Sequence, residues 1–184
     1  MATLGLDIST SCTGWCVIPA QGAIGKKVEM GFIDLAKSKG LFQKAKIVKD
    51  HLANLQILHD ISDIFIEENL QSFRSGFSSA QTLSTLARFN GIVSYLCFDQ
   101  FGFEPRFLNV NSARKMIGLK IIKSSKGGAP VKEQVLEWAK QDISTFDWPT
   151  KTLKSGPRKG LTICDPRCYD IADAYVIAQA GLLT

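Results

Sequence analysis

The sequence predicts an α/β fold, a five-stranded mixed sheet with helices on its faces. Three observations carry this. Three short runs at residues 3–8, 14–18 and 28–33, rich in β-branched, aromatic or other apolar residues, lie close together with glycine-containing turns between them. Apolar residues then recur at helical spacing over 41–58. A short apolar run that ends in acids, Asp63-Ile-Phe-Ile-Glu-Glu68, follows before a second long helical stretch. Grouped strands followed by strands and helices in alternation give a mixed sheet with helices packed against it.

The elements follow in order. Residues 3–8, 14–18 and 28–33 read as three antiparallel strands. The first helix places Leu41, Ala45, Val48, Leu52, Leu55 and Leu58 on one face, with Lys44, Lys46, Lys49 and Asp50 on others. Residues 63–68 form a fourth strand of the fully buried type. A second helix over about 78–100 turns Leu83, Leu86, Asn90 or Gly91, Val93 and Cys97 inward, and residues 107–110 make a fifth strand. Short helices follow at 112–117 and 131–141. The last helix, within 167–181, is apolar enough to be largely buried. Two stretches lack periodicity: basic loops at 120–130 and at 148–168, the second with three prolines. No internal repeat or linker divides the chain, so residues 1–184 read as one domain.

Composition bounds the function. With 184 residues, 45% apolar and 21% charged, the chain has a core and is not largely disordered. No run approaches the roughly 18 apolar residues of a membrane span, and no basic stretch precedes an apolar one at the N-terminus. The expected setting is intracellular, in the cytoplasm, with no membrane partner and no secretion. Five cysteines are an odd number at low density, which suits free thiols in a reducing compartment. Cys12/Cys16 and Cys164/Cys168 share a C-x3-C spacing that is not a usual zinc spacing, and they read as small buried hydrophobes. His51 and His59 read as structural. Between residues 102 and 167 there are 13 Lys/Arg against 6 Asp/Glu. A basic half of this kind favours a polyanionic partner, and nucleic acid is the commonest.

The acids are placed more tellingly than the bases. Asp170 and Asp173 are three residues apart, so on a helix they share a face. Amid Ile171, Ala172, Ala174 and Tyr175, an unpaired carboxylate there would cost several kcal/mol or shift its pKa. Something positive should stand opposite. Asp7 ends the first strand, and Glu67 or Glu68 ends the fourth, the two pointing to opposite faces. If strands one and four are neighbours, four carboxylates converge and repel unless divalent cations neutralise them. Hard oxygen donors suit Mg²⁺ or Mn²⁺ rather than zinc. Two such ions about 3.5–4 Å apart can activate a water and stabilise a leaving oxygen in phosphodiester hydrolysis.

Three segments taken together, "LGLDISTSCTGWCVI" (4–18), "DIFIEENL" (63–70) and "YDIADAYVIAQAG" (169–181), resemble the RuvC family of Holliday junction resolvases. The resemblance implies an RNase H-like fold. It selects Asp7, Glu67, Asp170 and Asp173 as catalytic residues and ligands of two Mg²⁺ ions, with Mn²⁺ able to substitute. It also implies a homodimer that nicks opposing strands of a four-way junction in branched DNA. Lys115, Lys123, Lys126 and Lys132 fall where basic residues near the scissile phosphate are expected, with Arg158 and Lys159 as further phosphate contacts and Arg114 as a lesser candidate. Where the bacterial members carry an aromatic just after the second acid, Leu70 stands here. Phe73 and Phe77 follow, and Phe73 is the candidate to touch DNA. The stretch at 148–168 is longer than the family's usual connection and resembles phage or virus relatives.

Other classes remain open on the residues alone. Residues 7–14 also resemble the first phosphate loop of actin-like ATPases, which require a second lobe and a second glycine-rich phosphate motif. A junction-binding protein without catalysis would lack an acid, and none is missing. A broader nuclease for flaps and forks, or a ribonuclease of the same fold, shares the carboxylates.

Overall fold

The sheet is organised around β1 (Ala2–Ile8), which is hydrogen-bonded along both edges in the computed structural model of residues 1–20, 27–68 and 80–184. On one edge it pairs antiparallel with β2 (Cys12–Pro19), which pairs antiparallel with β3 (Glu29–Asp34). On the other it pairs parallel with β4 (Ile61–Glu67), which pairs parallel with β5 (Arg106–Leu108). The order is β3-β2-β1-β4-β5. Strands one and four are therefore neighbours, as convergence of the acids requires.

Strand alternation sorts the side chains into two layers. Leu4, Leu6 and Ile8 of β1, Val17 of β2, and Ile64 and Ile66 of β4 form one buried cluster with α1 (Leu41–Leu58) and α2 (Ala80–Phe101). The opposite face carries Cys16 and Ile18 of β2 and Phe65 of β4. It packs on α5 (Cys168–Gly181), which in turn contacts α3 (Val110–Met116) and α4 (Val131–Asp142). Ala45, Val48, Leu52 and Leu55 are the buried residues of α1, on the predicted face, while Leu58 is exposed.

Some expectations shift. In α2, Phe89 is fully buried beside Asn90, Val93 and Cys97, whereas Leu83 and Leu86 are half-buried and Gly91 is exposed. Val110, expected in the fifth strand, opens α3 instead. The Asn109 side chain accepts from the Asn111 and Ser112 amides, at 3.1 and 3.4 Å, and this N-cap overrides the β preference of valine.

Within 148–168 the expected irregular loop contains a hairpin. β6 (Thr150–Thr152) and β7 (Thr162–Cys164) pair antiparallel as a sheet of their own. Strands of three residues are too short to show a period, and only their threonines and Ile163 hint at them.

Candidate active site

Parallel pairing sets the first two acids side by side. Leu6 lies opposite Ile66 in the β1–β4 register, so Asp7 and Glu67, the next residue on each strand, leave the sheet at the same end. Alternation sends the two glutamates to opposite faces. Glu67 shares the face of Phe65, as Asp7 shares the face of Gly5, and both look toward α5.

The last helix lies unusually close to the strands. A Cβ at Gly5 would overlap the Ala174 carbonyl and the Ala178 amide, and one at Gly14 would overlap the Asp170 carbonyl. Gly14 is also the partner of Asp7 in the β1–β2 pair. Two glycines thus let the backbone of α5 rest on the sheet, which brings Asp170 and Asp173 over the ends of β1 and β4. The rest of α5 is fixed by burial, since Ile171, Ala172, Ala174, Val176, Ile177 and Ala178 have no exposed surface.

The electrostatics record this convergence. Burial, then Glu67, Asp173 and Asp170, push the Asp7 carboxyl well above the usual carboxylate range, against a lowering by Lys132. Glu67 is pushed up to about 7, chiefly by burial and then by Asp173, with Arg114 and Lys132 opposing. Burial is also the largest cause of the upward shifts at Asp170 and Asp173. Each acid thus retains its proton to a higher pH than in water, with burial as the largest cause in every case.

Among the described residues, Arg114 and Lys132 face the cluster. Arg114 Nη2 donates to Asp173 Oδ1 at 3.0 Å, both side chains being largely buried. Its Nε is buried with no hydrogen-bond partner among the described residues. This is the positive group that the apolar setting of Asp173 demands. Lys132, exposed at the start of α4, favours the ionised form of all four acids. Sequence reasoning ranked Arg114 below the lysines, because nothing in a linear reading shows that α3 packs on α5. It also missed Cys12, which lies near enough to Asp170 for each to shift the other's titration.

The donor set fits a hard divalent cation: four carboxylates from three elements, mutually repelling, with no imidazole among them. Among the described residues, no three Asp, Glu, His or Cys side chains stand close enough together to enclose an ion, and Asp173 is engaged by Arg114.

The remaining basic candidates are exposed. Lys115 is exposed on α3 and, with Asn111, Arg114 and Lys120, lines a cavity of about 330 Å³ beside the cluster. Lys123 and Lys126 are exposed around a short 3₁₀ turn, Ser124–Lys126. Arg158 and Lys159 are exposed at the hairpin tip. Phe73 lies outside the described residues. No described helix is long and apolar enough to cross a membrane.

No protein-family model matches the chain, and no curated protein matches it. Solved structures do. The structure of Thermus thermophilus RuvC aligns with a TM-score of 0.59 at 14% identity, over 98% of this chain and 92% of that one. A structure of T. thermophilus RuvC in complex with a Holliday junction substrate aligns with a TM-score of 0.61 at 14% identity, over 98% and 91%. The fold is RNase H-like, a mixed five-stranded sheet flanked by helices, as the three sequence segments imply.

Proposed function

We propose that this chain is a metal-dependent, structure-specific endonuclease that resolves four-way DNA junctions by paired phosphodiester hydrolysis. The observation that carries the reading is the convergence of Asp7, Glu67, Asp170 and Asp173 at one end of the sheet, each with a raised pKa and with Arg114 and Lys132 facing them. The fold shared with T. thermophilus RuvC, and the junction bound in one of those structures, supports DNA as the substrate.

In this reading Asp7, Glu67, Asp170 and Asp173 would hold two Mg²⁺ ions, with Mn²⁺ able to substitute. When bound, the ions supply an activated water and charge stabilisation at the leaving oxygen. The chain's own residues do the rest. Lys132 offers positive charge to the scissile phosphate from the rim, and Arg114 orients Asp173 while neutralising its charge. Cys12 lies beside Asp170 and favours its ionised form. Lys115, Lys123, Lys126, Arg158 and Lys159 hold the backbone farther out. Nicks on two opposing strands require two such sites, which a symmetric homodimer provides.

One observation favours a second reading. The Arg114–Asp173 ion pair already balances one carboxylate, and the acids do not close a coordination shell as they stand. A protein that binds junctions without cutting them would look like this.

A labelled immobile four-way junction, with flap, fork and linear duplex controls, in Mg²⁺ or in EDTA, decides between them. Paired nicks confined to the junction and dependent on Mg²⁺ are expected. Cleavage of every branched form would mean a broader nuclease. Tight junction binding with no cleavage in Mg²⁺ or Mn²⁺ would favour the binding protein.

A further inference from the structure

The β6–β7 hairpin joins neither hydrophobic cluster beyond its base at Trp148 and Cys164. Its tip is nonetheless closely built. The Leu153 amide donates to the Leu161 carbonyl at 3.0 Å, the Gly160 amide to the Leu153 carbonyl at 2.8 Å, and the Lys159 amide to the Gly156 carbonyl at 3.0 Å. Gly156 and Gly160 take the positive φ values, 78° and 87°, that these turns need. Lys151, Lys154, Arg158 and Lys159 are exposed on it, and no acid occurs between residues 148 and 164. Four exposed cations on one short hairpin, of which Lys151 acts on the Asp165 carboxylate at its foot, favour a polyanionic partner.

The base of the hairpin is clamped to the catalytic helix. Arg167, the N-cap of α5, donates to both oxygens of Asp165, at 2.9 and 2.7 Å, and to Asp34 Oδ2 of β3 at 2.7 Å. Its guanidinium lies 4.2 Å above the Phe32 ring. The Asp165 amide and the Cys168 thiol both donate to the Pro149 carbonyl, at 2.9 and 3.3 Å. One arginine therefore ties together the sheet edge, the foot of the hairpin and the helix that carries Asp170 and Asp173.

We propose that the hairpin is a docking arm for the phosphate backbone of a duplex DNA segment flanking the cleaved strand, and that the Arg167 clamp fixes which phosphodiester reaches the carboxylates. This rests on the nuclease reading and adds to it a partner surface and a means of register. Duplex rather than single strand follows from composition. Residues 150–164 contain no aromatic side chain on which an unpaired base could stack.

The test uses two variants of the full chain. Lys154→Ala/Arg158→Ala/Lys159→Ala removes the tip cations, and because these are exposed the thermal midpoint should not move. Its plot of log affinity for a four-way junction against log salt should be shallower than wild type by about 2.7, at roughly 0.9 for each phosphate that is no longer neutralised. Asp34→Asn loosens one leg of the clamp. It should keep the wild-type salt slope while nicks, mapped at nucleotide resolution, spread to neighbouring phosphodiesters. An unchanged slope in the triple variant overturns the docking arm, and an unchanged nick position in Asp34→Asn overturns the register role. A wild type that binds junctions but never nicks them removes the nuclease reading and the register role with it, leaving the slope to decide the arm. A wild type that binds no DNA removes both.

Discussion

Gly14 lies against the backbone of Asp170, with no room for even a methyl group between them. Because Gly14 is also opposite Asp7 in the β1–β2 register, one missing side chain sets the spacing between two proposed catalytic carboxylates. Gly14→Ala must displace α5 or strain β2. It should cost about 1–3 kcal/mol, the usual range for overpacking, read from urea unfolding. Cleavage should fall much further than junction affinity. Wild-type stability together with wild-type cleavage would show that the helix has slack at this point.

Asp7→Asn should lose cleavage yet bind a junction with near wild-type affinity, because it removes a metal ligand and no phosphate contact. It should also raise the stability of the metal-free protein at pH 8, since a carboxylate that burial and three neighbouring acids disfavour is gone. Gel-shift and nicking assays on one preparation, with a thermal melt, check all three. Normal cleavage by Asp7→Asn would place the reaction elsewhere.

Glu67 and Glu68 are adjacent and chemically alike, so a matched pair of substitutions separates them. Glu67→Gln should abolish cleavage, while Glu68→Gln, whose backbone amide donates to the Leu108 carbonyl at 2.9 Å, should keep most of it. The reverse result would mean that the end of β4 twists enough to exchange their faces.

The pH dependence of stability has a definite sign. Asp7, Glu67, Asp170 and Asp173 all titrate above their ordinary values, so the folded chain holds more protons than the unfolded one across that interval. Their contribution is fully present below the unfolded range near 4 and is lost as pH rises, for Glu67 through about 7. Asp165 runs the other way. Hydrogen bonds from Arg167 hold it at about 2, so the stability of its clamp is lost as pH falls toward that value. In EDTA the melting temperature should therefore decline between pH 5 and 8. Mg²⁺ or Mn²⁺ should recover it at pH 8 in proportion to occupancy. A melting temperature indifferent to both ions at pH 8 would count against a metal site.

Arg114→Ala leaves Asp173 buried without its partner. Removing one member of a buried ion pair costs on the order of 3–5 kcal/mol, and this pair, close to solvent, should fall at the lower end. Adding Asp173→Asn to Arg114→Ala should recover part of the loss. A double-mutant cycle on chemical denaturation gives the coupling directly, and coupling near zero would mean that the pair is incidental.

Much of this is legible in the sequence because the signals are long or local. The face of α1 follows from Ala45, Val48, Leu52 and Leu55, and the burial of α5 from its composition. The spacing of Asp170 and Asp173 within an apolar helix is enough to demand a counter-charge. The unread parts depend on tertiary contact. Arg114 is one basic residue among thirteen between 102 and 167 until α3 is seen packing on α5. Cys12 looks like a small hydrophobe until the turn after β1 places its thiol at Asp170. Gly5 and Gly14 look like ordinary strand glycines, because what they leave room for lies more than 150 residues away along the chain. The hairpin is silent in the sequence because three-residue strands carry no period.

The hairpin closes its hydrogen bonds upon itself and borrows none from the main sheet. Cross-strand pairs could be added to it or removed from it without disturbing a buried side chain of either cluster. The molecule thereby separates two kinds of evolutionary freedom. The carboxylate cluster, wedged between a glycine-paved sheet and an apolar helix, tolerates little change, while the projection beside it can lengthen, shorten or trade its cations at small cost to folding. On the proposed reading, preferences for one branched geometry over another could diverge rapidly there while the carboxylate cluster stayed the same.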